Sequence, residues 1–557
     1  MSRCLLTLAA AALLTALAAA QPRAATEAPP PPGPAEIAAA PSFPADRSVV
    51  ATHYFYWYKW PDEHFFNDPP RRSSSNLRLH FPDDTAVSYE SATWHRRQME
   101  DMTAAGIDVA LCVYWGTPNN YDKPDLRFSV RGLPPLVQAL DELSRTAEQA
   151  QPPPRIGLFY DTSTLLGDHA FRERGRGNVD LRTPEGKDIF YRTIRDFFRF
   201  VPPRHWACLA GRPLVQLYES AFAAGHDQST LDYVYEHFAA DFAGRRPLIV
   251  AGPSWSFQAD LSTGWGAALS GPIGALRKPG GAVQIGPGYD DSPVPGRSTP
   301  TRDRLGGGFY AASWLLALQA RPRLVILETW SEMHEGTPIC ATLEDGRLYI
   351  DLTRRYADLL KSDDQPAAED WATVVRRLLS APASNRAGRE FASRLAVELH
   401  PAEDGKLVER GLRLCTGIAD GVFGVGEVDG KPCIRTWEGA GGRSRYLYFD
   451  IADPYYCDHR GTLTLRLAYL DEGRAPILVE YDSADDTDAL RDRYKPAPQQ
   501  IERTGSGTWE TATITLPAAR CANRQNGGAD LRLACPDGDV TIGHVTLAKL
   551  PANYGAR

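Results

Sequence analysis

The chain has 557 residues, 43% hydrophobic and 23% charged, with a formal net charge of −8 carried by both signs along its length. That length exceeds one ordinary core and predicts two folded domains with tails, and the composition is that of a globular protein. No basic patch or polybasic tract is present, which argues against nucleic-acid and anionic-membrane partners. The chain opens with Arg3, an apolar run from Leu5 to Ala19 and the small residues Ala18, Ala19 and Ala20. This pattern predicts a secretory signal over residues 1–20, removed after Ala20, and a secreted or periplasmic protein. The run is shorter than the roughly 20 residues of a membrane span, so none is expected after removal. Cys4 precedes the apolar run, the wrong side for a lipoprotein.

Residues 21–47 are rich in Pro and Ala and predict an extended linker. From residue 48 short β-rich runs alternate with amphipathic segments. The runs are 49–58, 108–115, 155–161, 213–219, 247–252, 265–270, 282–288 and 323–330, the sixth being the faintest. They are rich in Val, Ile, Leu and aromatics, as strands buried on both faces should be. Between them Phe190, Ile194, Phe197 and Val201, and Leu231, Val234, Phe238 and Phe242, recur at helical spacing. Segments 90–105, 133–149, 307–320 and 351–361 also read as helices. Eight strands alternating with helices predict a (β/α)8 TIM barrel over residues 48–365. A doubly wound nucleotide fold is disfavoured, since no GxGxxG follows the first strand. Residues 366–400 predict a helical connector. Over 401–557 alternation takes over, in the runs 446–452, 462–470, 475–483, 508–516, 529–535 and 539–550, and predicts an all-β sandwich or jelly roll. Signal removal leaves eight cysteines, of which Cys415, Cys433, Cys457, Cys521 and Cys535 lie in this last part. Cys521 with Cys535 is the first pair to expect in an exported protein, although spacing does not fix connectivity and none of it reads as a zinc site.

In a barrel of this type the chemistry lies at the C-terminal ends of the strands. The eighth strand runs into Glu328, Thr329, Trp330, Ser331, Glu332, Met333, His334 and Glu335, three carboxylates and an imidazole in eight residues. Glu332 and Glu335 are three apart, so a helical turn would put both on one face, Cβ atoms about 5–6 Å apart. Two carboxyls that close cannot ionise with equal ease, and glycosidic cleavage needs one acid and one base. A solvated acidic loop or a helix cap would produce the same letters. HExxH is not met, because the second histidine is missing. Other strand ends supply Tyr56, Trp57 and Tyr58; Tyr114 and Trp115; Tyr160 and Asp161; Tyr218 and Glu219; Trp255; and Tyr289 and Asp290. Together with Glu328, Trp330 and His334 they are the candidate substrate contacts, because rings stack on the C–H faces of sugars and carboxylates bind hydroxyls. Aromatics as core, and carboxylates as salt bridges or turn caps, are the plainer alternatives. Gly306, Gly307 and Gly308 could cradle an anion but read better as a turn, and the stretch from Gly252 to Ser256 misses the GxSxG elbow at its last position.

Three short motifs carry a resemblance. SEMHEGTPI (331–339) resembles the NEWHEGT-type motif of glycoside hydrolase family 99, the endo-α-mannosidases. HYFYWYKW (53–60) resembles that family's aromatic first strand, and GPGYDD (286–291) its turn after strand seven. The resemblance implies a TIM barrel, an α-mannoside as substrate, Glu332 as base on the sugar's own 2-hydroxyl and Glu335 as general acid, with no cofactor required. This sequence has Ser331 and Met333 where the family has Asn and Trp. Those changes are what favours the alternative of a non-catalytic carbohydrate-binding protein. A glycosyltransferase is opposed by export and by the missing phosphate loop. In the sandwich, Trp437, Tyr446, Tyr448, Tyr455, Tyr456 and Trp509 could form a sugar platform, and Asp450, Asp453 and Asp530 could hold a structural Ca2+. The expected partner is a polysaccharide or glycan.

Overall fold

The structure, a computed structural model, describes residues 27–61, 76–123, 126–146, 152–170, 177–276, 280–297, 299–362, 389–439, 442–485, 492–535 and 538–550. The expected signal and most of the expected connector lie outside the described residues. Eight short strands form the first domain: β1 Val49–Tyr54, β2 Val109–Tyr114, β3 Arg155–Tyr160, β4 Arg212–Leu217, β5 Leu248–Ala251, β6 Leu261–Ser262, β7 Ala282–Ile285 and β8 Leu324–Leu327. Each of β1 to β5 runs parallel to the next, β7 runs parallel to β8, and β8 pairs with β1 from Leu324↔Val49 to Leu327↔Thr52. Strand order thus follows chain order and the last strand meets the first, a TIM-barrel-like sheet. Among the described residues no ladder joins β6 to β7; a bond from Thr263 Oγ1 to Ile273 O (3.4 Å) lies there instead, beside a bridge from Ile273–Gly274 to β7.

The sixth strand differs from expectation. Residues 267–270 are a helical turn, Ala267–Ser270, and the strand is the two-residue Leu261–Ser262. Gly266 precedes the turn at φ 95°, and the Glu328 carboxylate accepts from Gly266 N (2.8 Å) and Ala268 N (2.6 Å). A buried acceptor thereby holds the backbone donors of this turn and overrides the apolar pattern. The helices fall where periodicity put them: Ala92–Ala104, Leu133–Thr146, Pro184–Phe200, Gln228–Asp241, Gly308–Ala320 and Leu348–Lys361. In the third of these Thr183 caps Gly186 N and Pro184 takes the first position, where its missing N–H costs nothing, while Ile189, Phe190, Ile194 and Phe197 are buried against the sheet. The Pro/Ala-rich segment is no free linker over its described part. Pro34–Ala38 is a helical turn, Ser42–Phe43 pairs with Cys208–Leu209, and Ile37 and Phe43 are buried in the barrel's core.

The second domain begins inside the expected connector, with β9 Ala396–Pro401, and continues as β10 Leu407–Arg410, β11 Leu412–Leu414, β12 Phe423–Val428, β13 Lys431–Thr436, β14 Tyr446–Ile451, β15 Gly461–Leu470, β16 Leu478–Tyr481, β17 Trp509–Ala519, β18 Leu531–Ala534 and β19 Thr541–Ala548. β19 pairs with β15 on one side and with β9 and then β13 on the other; β11, β14, β18 and β16 form a second antiparallel sheet. Alternate residues such as Val397, Leu447, Leu465, Leu533 and Val545 meet in one core between the sheets. Of the aromatic platform, Tyr448, Tyr455 and Tyr456 are buried, whereas Trp437 is 58% exposed. Asp450 pairs with Arg413, Asp453 accepts from Asn523 Nδ2 and Asp530 accepts from Ile451 N and Asn523 N, so each carboxylate has protein partners. The eight cysteines among the described residues form no disulfide. The expected pair between Cys521 and Cys535 is not formed, and Cys535 Sγ instead lies 2.9 Å from Arg503 Nη2.

The two domains meet through a buried ionic network. Glu344 accepts from His80 N (3.0 Å), contacts His80 Nδ1 (2.7 Å) and pairs with Lys549 Nζ (3.1 Å), all three side chains being fully buried. Asp345 pairs with His459 (2.8 Å), and Tyr456 donates to Glu344 O (3.0 Å). At the junction the start of β15 presses on the barrel loop so closely that a Cβ at Gly461 would lie 1.9 Å from Leu343 O. Beside this contact a small cleft opens between Tyr289, Asp290 and Thr301–Arg304 on the barrel and Asp453, Pro454 and Cys457–His459 on the sandwich.

Candidate active site

Strand pleating decides which aromatics reach the barrel mouth. From β1 onward His53, Phe55 and Trp57 point inward: the His53 ring is 4.6 Å from Phe159, and Trp57 is 5.5 Å from Trp115 and 5.9 Å from His334. Tyr56 points out to the helices, 5.4 Å from Phe128. Tyr114 packs on Phe197 (5.4 Å), Tyr160 on Phe190 (5.1 Å) with its hydroxyl on Tyr121, and Trp330 donates to Gln98 Oε1 (2.8 Å) on the helix Ala92–Ala104. Trp255 packs on Phe257 (5.1 Å) and donates to Tyr218 O (2.8 Å). These five, Tyr56, Tyr114, Tyr160, Trp255 and Trp330, are core rather than substrate contacts: each alternates with an inward neighbour or stacks beneath a loop.

The loop after β8 is the centre of the mouth. Met333–Glu335 makes one tight turn, closed by Gly336 at φ 65°, where a Cβ would come 3.1 Å from Asp290 O. Glu332 N donates to Thr329 Oγ1 (3.0 Å). The two positions that depart from the family pattern are both buried and tied to neighbouring strands and loops. Ser331 Oγ donates to Phe55 O (2.9 Å), and buried Met333 uses its N–H on Tyr58 Oη (2.9 Å) and its carbonyl on Arg78 N (3.0 Å) and Leu79 N (3.2 Å). Tyr58 Oη also meets His334 Nδ1 (3.0 Å). His334 Nε2 lies 3.8 Å from both Glu332 Oε1 and Glu335 Oε1.

Glu332 is 5% exposed, and its Oε2 is buried with no hydrogen-bond partner. Burial, then the charges of Glu335 and Glu328, push its carboxyl well above the usual range, against the pull of Arg297. Glu335 is also raised by burial, but Arg297 opposes this directly, with Nη1 on Glu335 Oε1. Glu328 does not reach the mouth; its oxygens are taken by Gly266 N, Ala268 N and Gln284 Nε2 (2.8 Å), and burial outweighs these donors and lifts it to about 7. A chain of buried donors leads to it across the barrel, His53 Nε2 to Gln216 Oε1 (2.8 Å), Gln216 Nε2 to Gln284 Oε1 (3.0 Å), then Gln284 to Glu328. Asp161 accepts from Trp115 Nε1 and from Ser163 N, and Lys123 Nζ sits 3.2 Å from the Trp115 ring centroid. Tyr218, its ring 6.0 Å from Phe159 and 5.1 Å from Trp265, is raised by burial and then by the charges of Asp161, Glu332 and Glu335. Glu219 stands at the start of the turn Ser220–Phe222 on the same rim. Tyr289 donates to Asp291 Oδ2 (2.9 Å), while Asp290 is a tether: it binds Arg78 Nε (2.8 Å), and its N–H holds Glu335 O (2.9 Å).

Five contributors escaped the reading of the sequence. Trp265, assigned there to a strand, stacks on Phe159 (5.2 Å) and lies 5.1 Å from Tyr218. Asp291 closes the GPGYDD motif beside Asp290, and Arg297 lies in a loop with no local signal. Gln216 and Gln284 sit mid-strand, where a polar residue in an apolar run was the available sign. The nearest donor atoms of Glu332, His334 and Glu335 lie within 4.8 Å of one another, the one such trio among the described residues. The positive charge set against it is the Arg297 guanidinium, on Glu335.

A barrel-like parallel sheet thus carries a loop with two glutamates at its C-terminal mouth. Over residues 42–369 the chain matches the family described as "Domain of unknown function (DUF5010)", and it belongs to that family. It is 32% identical over 97 residues to a mouse protein named glycoprotein endo-alpha-1,2-mannosidase-like protein, covering 14% of this chain and 22% of that one. It is 32% identical over 89 residues to glycoprotein endo-alpha-1,2-mannosidase of Xenopus laevis, covering 13% and 20%. The chain thus spans about a fifth of the length of these curated relatives. Among solved structures it is similar to the family 99 endo-alpha-mannosidase from Bacteroides thetaiotaomicron in complex with bis-tris-propane, at 16% identity, over 60% of this chain and 98% of that one, with a TM-score of 0.39.

Proposed function

We propose that the chain is an exported glycoside hydrolase that cleaves a polysaccharide or glycan, an α-mannoside being the first sugar to test, through Glu332 and Glu335. The observation that carries this reading is a carboxyl, Glu332, buried with an unpartnered oxygen at a strand end and set within 4.8 Å of a second carboxyl that is paired to a cation. Such an environment separates the protonation of the two groups, which is the division of labour that glycosidic cleavage needs. One carboxyl gives its proton to the glycosidic oxygen as the C1–O bond breaks. The other, ionised, attacks C1 or takes the proton of the sugar's 2-hydroxyl so that O2 closes on C1. Water then opens that intermediate and restores both protonation states. Carboxyl separations of about 5–5.5 Å accompany retention and about 6.5–9.5 Å inversion, so the close pair favours retention. The names of the curated relatives support mannoside chemistry. Trp57, Trp115, Trp265 and Tyr218 supply ring faces around the pair, as a sugar cleft requires. Among the described residues no helix is long and apolar enough to cross a membrane.

The test is release of reducing ends from a panel of α-mannans and other glycans by wild type, Glu332→Gln and Glu335→Gln, with the product anomer followed by proton NMR. The expected result is cleavage with retention, falling about a thousandfold in each variant, or about 4 kcal/mol of transition-state stabilisation. Glycan binding without cleavage, unchanged in both variants, would establish instead the non-catalytic binding protein that Ser331 and Met333 suggested.

A further inference from the structure

We propose that the sandwich carries a glycan site of its own, a groove around Trp509 on the outer face of the sheet built on β15 and β19, which holds an uncharged polysaccharide. For its ligand class this inference rests on the glycosidase reading above. The shape of the groove comes from two irregularities in the ladder. β9 pairs with β19 only from Val545 to Ala548, and β13 only at Thr541 and Ile542, so neither strand covers Gly543 and His544. On the other side those two residues stand opposite the single Ala468 of β15, between Leu467↔Val545 and Tyr469↔Ile542. A bulge of this kind bends its strand and re-aims a side chain. Leu467 and Val545 point into the core, whereas His544 is exposed on the opposite face. Gly543 is buried under Trp509: a Cβ there would lie 3.3 Å from the six-membered ring of the indole and 3.6 Å from the Ala468 methyl. Two small residues thus form the floor on which the indole rests.

The groove measures about 450 Å3, inside the roughly 300–1,000 Å3 of ligand clefts. Trp509 is half-buried in it, with Lys431 Nζ 5.9 Å from the ring centroid. Thr511, two residues further along β17, shares the outward face, and the His400 and His544 rings meet at 5.3 Å across the groove's other wall. Among the described residues neither Lys431 Nζ nor Thr511 Oγ1 has a hydrogen bond or ion pair, and Glu510 spends one oxygen on Thr508 Oγ1 (3.0 Å). A large ring with free donors and acceptors around it suits a pyranose, whose C–H face packs on the ring while its hydroxyls reach an ammonium, a hydroxyl and a carboxylate. Lys431 and Glu510 oppose each other in sign, and His544 is paired with Glu398 (3.0 Å), so no single charge dominates and an uncharged chain fits better than a polyanion. No lining residue belongs to the barrel, so a chain held here leaves the mouth free.

Retardation of the full-length chain in native gels cast with α-mannan, β-glucan or xylan tests the proposal, with Glu335→Gln as background so that no polymer is consumed. At least one polymer should retard the protein. Trp509→Ala should weaken that binding by roughly tenfold, the scale of one lost ring contact. Lys431→Ala, at an exposed position outside the core, should weaken it by a smaller factor and stands in as the test if Trp509→Ala folds poorly. No retardation by any of the polymers, or retardation unchanged in both variants, overturns the inference, the second result placing the bound chain in the barrel mouth. Retardation should also survive about 0.5 M NaCl, where exposed charges are screened; its loss there marks a polyanion and overturns the uncharged ligand. If wild type cleaves none of these polymers while Trp509→Ala still loses the retardation, the groove stands and the glycosidase reading alone falls.

Discussion

Replacing Lys549 by Met cuts the ionic junction between the domains on one side only. Lys549 and Glu344 are both fully buried and 3.1 Å apart. At that separation and an effective dielectric near 20, their Coulomb attraction is about 5 kcal/mol. Most of this offsets the desolvation of two charges, and breaking such a pair from one side costs about 3–5 kcal/mol, since the remaining charge is left buried. Burial alone would raise Glu344, but Lys549 and then His80 hold it well below the usual carboxylate range; burial in turn lowers Lys549 to about 8, against Glu344. The ammonium lost in the variant is the largest favourable influence on Glu344, so the loss should be near the upper end of that range. Urea unfolding at neutral pH, read by tryptophan fluorescence and by circular dichroism, measures it. The double variant Lys549→Met with Glu344→Gln removes both charges and should recover at least about 1 kcal/mol of coupling. A single variant within about 0.5 kcal/mol of wild type, or a double variant that is merely additive, would refute the reasoning.

Two further outcomes are expected. Glu328 has a folded pKa of about 7, above its ordinary 4.5; the folded state therefore holds a proton that the unfolded state has lost between those values, and stability falls as pH rises across them. Glu328→Gln should remove that slope, so its stability deficit against wild type, measured by urea unfolding from pH 5 to 8, narrows with rising pH; a deficit that widens is the contrary result. Trp265→Ala, which takes a ring from the mouth without touching the carboxylates, should raise KM at least about tenfold with a smaller change in kcat, as lost ground-state binding does. An unchanged KM would remove Trp265 from the substrate cleft.

The barrel was legible because its strands are continuous apolar runs and its helices carry clean periodicity, as from Phe190 to Val201. The loop after β8 was legible because carboxylates rarely crowd at a strand end without a use. What stayed hidden was direction. Tyr56 and Trp57 are adjacent letters, yet one faces the helices and the other the mouth, and the phase of a pleat shows only once the sheet exists. Trp265 was misread because a carboxylate 63 residues away caps the turn beside it. Arg297 stayed silent for a similar reason, since its meaning comes from Glu335 across the mouth. The early strands of the sandwich, such as Phe423–Val428, are short and rich in glycine, and their alternation was too faint to separate from a loop.

The loop after β7 has two owners. Tyr289, Asp291 and Arg297 turn one side of it to the glutamates, while Asp290 and the stretch Thr301–Arg304 turn the other to the sandwich residues Asp453, Pro454 and Cys457–His459. A module that supplies one wall of such a loop cannot be exchanged between proteins as a bead on a string. In descent, barrel and sandwich should travel as one heritable unit, with the loop drifting only as fast as both neighbours permit.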